Sequence, residues 1–246
     1  MKLLSLIVLT ALTAAEVCSA ASAEAESARA AAREYGAAVR NCDMAWALDS
    51  MYPPIRRTYA DQLGARRGGE AQASRLFTGA DPETAAKNKA RRAANEKALR
   101  EQYTKMGEAM KAQGVRIESY SVGAATGEYI VTPPMSIVEN VRKDVYARRK
   151  AEDITAANRD SSRIVILPTT LVISMPQADG TRTRIERRSY IYAVRDENIT
   201  DTGRVRSTSL KKWYFVDGKT DVNTMRTFFP DLPVRLALPP CGDRQL

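Results

Sequence analysis

The chain has 246 residues, 38 Lys plus Arg against 29 Asp plus Glu, no histidine, and a formal net charge of +9. Hydrophobic residues make up 44% and charged residues 27%, an ordinary balance that provides for a core and excludes wholesale disorder. The absence of histidine excludes Ser-His-Asp and Cys-His catalytic devices and any zinc site that needs His.

Residues 1–23 read MKLLSLIVLTALTAAEVCSAASA. One Lys, an apolar run and small residues ending Ala21-Ser22-Ala23 form the pattern of a secretory signal peptide, with cleavage expected after Ala23 or Ala20. Val17 before Cys18 argues against lipid attachment. No second apolar run of about 18 residues follows, so the mature chain is expected to carry no transmembrane segment. The expected compartment is periplasmic or extracellular. There the positive charge faces envelope lipid, acidic glycan or another envelope protein, and nucleic acid is a poor fit. Removing Cys18 leaves Cys42 and Cys241. In an oxidising compartment these are expected to form one disulfide, worth roughly 5 kcal/mol by chain entropy, with two free thiols as the alternative.

Glu24 to Ser50 repeats Ala28, Ala31, Tyr35, Val39, Cys42 and Trp46 at helical spacing, and Tyr52-Pro53-Pro54 ends the run. A short helix is expected over Ile55–Leu63, followed by a flexible passage at Gly64, Gly68 and Gly69. Asp81-Pro82-Glu83 starts a long helix to Gln113, because Asp caps, Pro fits the first turn and Glu complements the dipole. Its first half crowds Lys87, Lys89, Arg91, Arg92, Lys97 and Arg100 and reads as a solvated arm. Its second half carries the apolar stripe Leu99, Tyr103, Met106 and Met110.

After Gly114 the period becomes that of strands. Val115–Val122 is expected to be a strand, Glu128–Val138 an edge element broken by Pro133-Pro134, and Asn140–Ser162 a charged insertion. Arg163–Met175 and Thr181–Arg195 form a hairpin about Ala178-Asp179-Gly180, with a bend at Pro168. Ser207–Val216 is a further strand and Val222–Phe228 a short helix, followed by a Pro-rich tail. The order is α+β: helices on an antiparallel sheet, in a single domain over 24–246.

The stretch Trp213-Tyr214-Phe215-Val216-Asp217-Gly218, followed by Phe229-Pro230-Asp231-Leu232 and Leu238-Pro239-Pro240, resembles secreted bacterial proteins of the NTF2-like (cystatin-like) type. So does the first helix, with Asp43, Trp46 and Asp49 near its end. The resemblance implies a curved sheet wrapped on a long N-terminal helix around a conical cavity. It leaves the helix at about 81–113 and the segment at about 140–162 as insertions. Such folds serve enzymes and binding modules alike.

Asp43, Trp46, Tyr190 and Tyr192 are the candidate cavity residues. An acid facing an apolar cavity can act as a base, and Tyr190 and Tyr192 share one strand face. Trp213 and Phe215 are expected in the core. No nucleophile elbow, phosphate loop, dinucleotide fingerprint, calcium loop or metal-ligand pattern occurs, so no catalytic residue and no cofactor is assigned. The expected function is a non-catalytic binding module for a small ligand or envelope protein. The alternative is a small-molecule isomerase, dehydratase or hydrolase built on an Asp/Tyr pair, and a third reading is self-association through the long helix.

Overall fold

The structure, a computed structural model, describes residues 22–66, 82–132, 161–197, 200–201, 204–205, 212–220 and 222–246. Most of the signal segment, Gly68 and Gly69, the Pro133-Pro134 pair, nearly all of the charged insertion and parts of 198–211 lie outside these residues.

Its frame is one long hairpin. β3 (Ser161–Pro176) and β4 (Arg182–Glu197) pair in continuous antiparallel register from Ser161 opposite Glu197 to Pro176 opposite Arg182. The turn closes where Gln177 N donates to Thr181 O at 2.9 Å and Asp179 Oδ1 accepts from Thr181 N, with Gly180 at φ +81°. Glycine takes that left-handed conformation without a Cβ clash.

Each long strand is flanked by two short ones. β1 (Arg116–Val122) pairs with residues 169–174 of β3, and β2 (Gly127–Val131) with 162–166. On the other edge β7 (Tyr214–Asp217) pairs with residues 191–194 of β4, and β8 (Gly242–Gln245) with 185–188. Pro168 sits where the partner changes from β2 to β1, and its carbonyl accepts from Gly123 N at 2.8 Å. Its missing N–H therefore faces the β1–β2 connection, so a proline is tolerated in a central strand. Two short strands, β5 (Thr200–Asp201) and β6 (Arg204–Val205), pair with each other.

One half of the sheet is covered on both faces. Val165, Leu167, Ile191, Ala193, Trp213 and Phe215 pack under α1 (Ala23–Arg40). Ile164, Ile166, Tyr190, Tyr192, Val194 and Val216 pack on the other face. Their partners there are Tyr52, Ile55 of α3 (Pro53–Arg66), Met225 of α5 (Val222–Phe228), and Phe229 and Leu232. This explains the unbroken apolar run of residues 164–167, since a strand covered on both faces need not alternate. The chain is thus α+β with an open antiparallel sheet.

The first helix is shorter than its periodicity predicts. It stops at Arg40, Cys42 takes φ 54°, and Asp43 caps a separate α2 (Met44–Asp49) by accepting from Trp46 N at 3.0 Å. α4 (Pro82–Ala112) packs on α2 and α3. Of its expected stripe, Leu99 is buried, Tyr103 and Met110 are half-buried, and Met106 is exposed. The seam follows Leu99, Tyr103 and Gly107, one helical row, which turns Met106 outward. No side chain described between Glu83 and Ala94 is buried, in keeping with the solvated arm.

The expected disulfide is not formed. Both cysteines are free, Cys42 buried and Cys241 exposed. Cys42 lies in the α1–α2 turn, its carbonyl against α4 at Gly107, whereas Cys241 immediately precedes β8 on the β4 edge. The tail thus forms a sheet strand where the sequence predicts only Pro-rich chain. Among the described residues no helix is long and apolar enough to cross a membrane.

Candidate functional site

The four residues nominated from sequence do not meet in one cavity. Asp43 is exposed and serves as a helix cap, and Trp46 is 39% exposed. Both lie outside the core clusters. Tyr190 and Tyr192 are core residues, 6% and 0% exposed, with ring centroids 5.4 Å apart at 88°. Strand parity put the two tyrosines together correctly, but it could not tell a cavity wall from a core packed by α3 and α5.

A second group of tyrosines, contributed by four different elements, is only half-buried: Tyr35 of α1, Tyr59 of α3, Tyr103 of α4 and Tyr120 of β1. Tyr35 lies edge-on to Tyr120, centroids 6.4 Å apart, and packs on Phe215 of β7 at 4.9 Å. Gly36 places the α1 backbone directly over the Tyr120 ring. Tyr59 and Tyr103 pack together around Leu99, and Tyr59 Oη lies 3.3 Å from Thr220 Oγ1. Asp217 shares a strand face with Phe215, two residues along β7, and begins the turn that carries Thr220.

Burial raises the pKa of Tyr35, Tyr103 and Tyr120, and the negative charge of Asp217 raises all three further. These phenols therefore stay protonated at physiological pH. Tyr120 Oη is fully buried and makes no hydrogen bond of ordinary geometry among the described residues, although the Thr169 side chain approaches it. A buried hydroxyl without a partner is unusual enough to need a reason. Tyr35 and Tyr120 pack against the α1-side core, and Tyr35, Tyr103 and Tyr120 all lie within the field of exposed Asp217 at the end of β7.

A half-buried acid lies on the opposite face, at the end of the hairpin far from its turn. Asp196 Oδ1 accepts from Tyr52 Oη at 2.9 Å and Ser162 Oγ at 2.6 Å. No described residue donates to Oδ2. Burial raises the pKa of Asp196 above the aspartate range, and the two hydroxyl donors offset part of that rise. Tyr214 packs edge-on to Tyr52, and Lys212 Nζ lies over the Tyr214 ring.

On the α1 side of the same sheet end, Arg163 bridges Glu128 and Glu197, and Arg195 bridges Glu197 and Glu24. Arg195 also stacks on Trp213 at 4.5 Å, and Trp213 Nε1 donates to Ser27 Oγ at 3.0 Å. Trp213 and Phe215 are buried as expected.

Sequence reading noticed Tyr35 and Tyr103 only as parts of apolar stripes, and Asp217 only as a strand end. It did not single out Asp196 at all. The available signal was that both stripes place a polar-tipped aromatic near a helix end, which spacing alone does not distinguish from core. Among the described residues no group of three or more Cys, Asp or Glu side chains is placed to hold a metal ion. No protein-family model, curated protein or solved structure matches the chain.

Proposed function

We propose that the chain is a secreted or periplasmic, non-catalytic binding module of NTF2-like design, and that its ligand site is the tyrosine cluster beside Asp217. The observation that carries this reading is that three half-buried tyrosines, Tyr35, Tyr103 and Tyr120, lie in the field of one exposed carboxylate, Asp217, and that the buried Tyr120 hydroxyl has no hydrogen-bond partner among the described residues. Small-molecule sites take this form: mostly aromatic walls with a few convergent polar groups. The helix laid across one sheet face and the Trp213–Gly218 strand end running toward α5 support the NTF2-like arrangement.

The test is a nuclear magnetic resonance screen of small polar fragments. Binding fragments should shift the Tyr35, Tyr103 and Tyr120 signals and leave Tyr190 and Tyr192 unmoved. A screen in which no fragment moves the three phenols removes the reading.

The α1 cap bears on export. Ser22 Oγ accepts from Ala25 N at 3.0 Å and donates to Glu128 Oε2 at 2.5 Å. Cleavage after Ala20 keeps this residue, whereas cleavage after Ala23 removes it. The mature protein is therefore expected to begin at Ala21, which N-terminal sequencing of exported material checks.

The exposed basic half of α4 is the surface for an anionic envelope partner. One observation favours a second reading, in which the protein is a cavity enzyme: Asp196 has a raised pKa and no described donor at Oδ2, which suits a general acid/base. That reading requires substrate contact at Oδ2, and Asp196→Asn abolishing a measured turnover would support it.

A further inference from the structure

We infer that the half of the sheet nearest the β3–β4 turn, on the face that α3 and α5 leave uncovered, is a docking surface for an acidic polysaccharide, a glycan chain bearing carboxylates. The surface is separate from the tyrosine cluster and does not depend on it.

Alternation along β4 puts Arg182, Arg184 and Arg188 on the same face as Tyr190 and Tyr192. The α3 and α5 layer covers the tyrosines, while all three arginines are exposed. The neighbouring strands extend the row. Arg244 of β8 stands opposite Glu186, and Arg116 of β1 stands opposite Ser174, which in turn pairs with Arg184. Side-chain contacts follow the same face: Arg188 and Arg244 both reach Glu186, Arg184 reaches Glu118, and Arg182 Nε donates to Ser174 Oγ at 2.6 Å.

Cations exceed anions on this face. Arg188 and Arg244 divide one carboxylate, Glu186, between them. Arg182 donates to neutral oxygens, those of Ser174 and Gly114. Arg116 has no ion-pair partner among the described residues. Asp179 lies beyond the strands, in the turn, and is engaged by Thr181. A carboxyl group at Leu246, whose N donates to Arg184 O, does not restore the balance.

Shape selects the partner. The arginines span roughly 20 Å along β4 and about 14 Å across the strands from β1 to β8. The helix layer on the same face rises about 10 Å above the strands, so a planar bilayer would rest on α3 and α5 and miss the arginines. A linear polymer fits along this ledge. Between the arginines lie Ser119, Ser121 and Thr170, hydroxyls suited to sugar. Among the described residues this floor offers no aromatic ring on which a nucleic-acid base could stack. A peptide adds more readily to a sheet edge than across a face without pockets. Guanidinium forks, by contrast, match carboxylates in pairs.

The test is calorimetry on the full chain with polygalacturonate and with its methyl ester, which keeps the sugar chain and removes the charge. Polygalacturonate is expected to bind, less tightly as salt rises, and the ester to bind at least about tenfold more weakly. Arg116→Gln combined with Arg188→Gln leaves Glu186 paired with Arg244, so the fold is kept, and should lower the affinity about tenfold. Replacing Lys89, Arg91 and Arg92 of α4 with Gln should leave it unchanged. No binding of polygalacturonate, equal binding of its ester, or an equal loss in the α4 variant would overturn the proposal. Duplex DNA or anionic vesicles bound through Arg116 and Arg188 in place of polygalacturonate would overturn it equally.

Discussion

Asp196 shows how one carboxyl can burden a fold while being well hydrogen-bonded. Its folded-state pKa is raised chiefly by burial. A group shifted this way contributes stability fully below its unfolded value, about 3.9, and loses it as pH rises through the folded value. At neutral pH its half-buried charge is therefore a cost. Asp196→Asn keeps an acceptor for Tyr52 and Ser162 and removes that cost. It is expected to raise thermal stability at pH 7 by about 1 kcal/mol and to flatten the pH dependence above about pH 4. A lower melting temperature for the variant at pH 7 would contradict this.

Glu197 behaves in the opposite sense. Burial pushes its pKa up, but hydrogen bonds from Arg163 and Arg195 outweigh burial and hold it below the glutamate range. Its contribution is present above the unfolded value and is lost as pH falls through the folded one. Arg163→Met removes the cation from Glu128 and leaves Glu197 to Arg195 alone, and urea unfolding should show a loss of about 1–2 kcal/mol. The thiols give a simpler check. Cys241 should alkylate in the native protein and Cys42 only after unfolding, with no mass change on reduction.

At the level of elements, α1 and β1 meet through one close approach. A methyl group at Gly36 would overlap the Tyr120 ring, so Gly36→Ala should cost about 1–3 kcal/mol in denaturant unfolding despite the better helix propensity of alanine. It should also displace Tyr120 and weaken any ligand of the tyrosine cluster. The exposed half of α4 makes the contrasting case. Replacing Lys89, Arg91 and Arg92 with Gln touches no buried side chain, and stability should change by less than about 0.5 kcal/mol. If this arm meets an anionic surface, the same variant should lose affinity for anionic vesicles, increasingly so at low salt.

For the whole molecule, the sequence reveals most where local rules decide. Pro82 as the first residue of α4, the Asp179-Gly180 turn, the β3–β4 hairpin and the Val222–Phe228 helix all follow from caps, turn residues and period. It reveals least where partners come from afar. The break at Asn41–Asp43 interrupts a good helical stripe because the chain turns against α4. The tail becomes β8 because β4 is long enough to offer a second edge partner. Tyr190 and Tyr192 are core because α3 and α5 cover that face, and Tyr35, Tyr59, Tyr103 and Tyr120 meet only because four elements converge. A candidate site assembled from four elements has no sequence spacing to betray it.

The central claim is that this tyrosine cluster is a ligand site rather than core. Its most direct test is chemical-shift mapping of the tyrosine rings during titration with a small polar fragment from the screen. The account predicts saturable shifts at Tyr35, Tyr103 and Tyr120 that Asp217→Asn weakens, with Tyr52, Tyr190 and Tyr192 unaffected. Shifts confined to Tyr190 and Tyr192, or no saturable shift at any tyrosine, would contradict it.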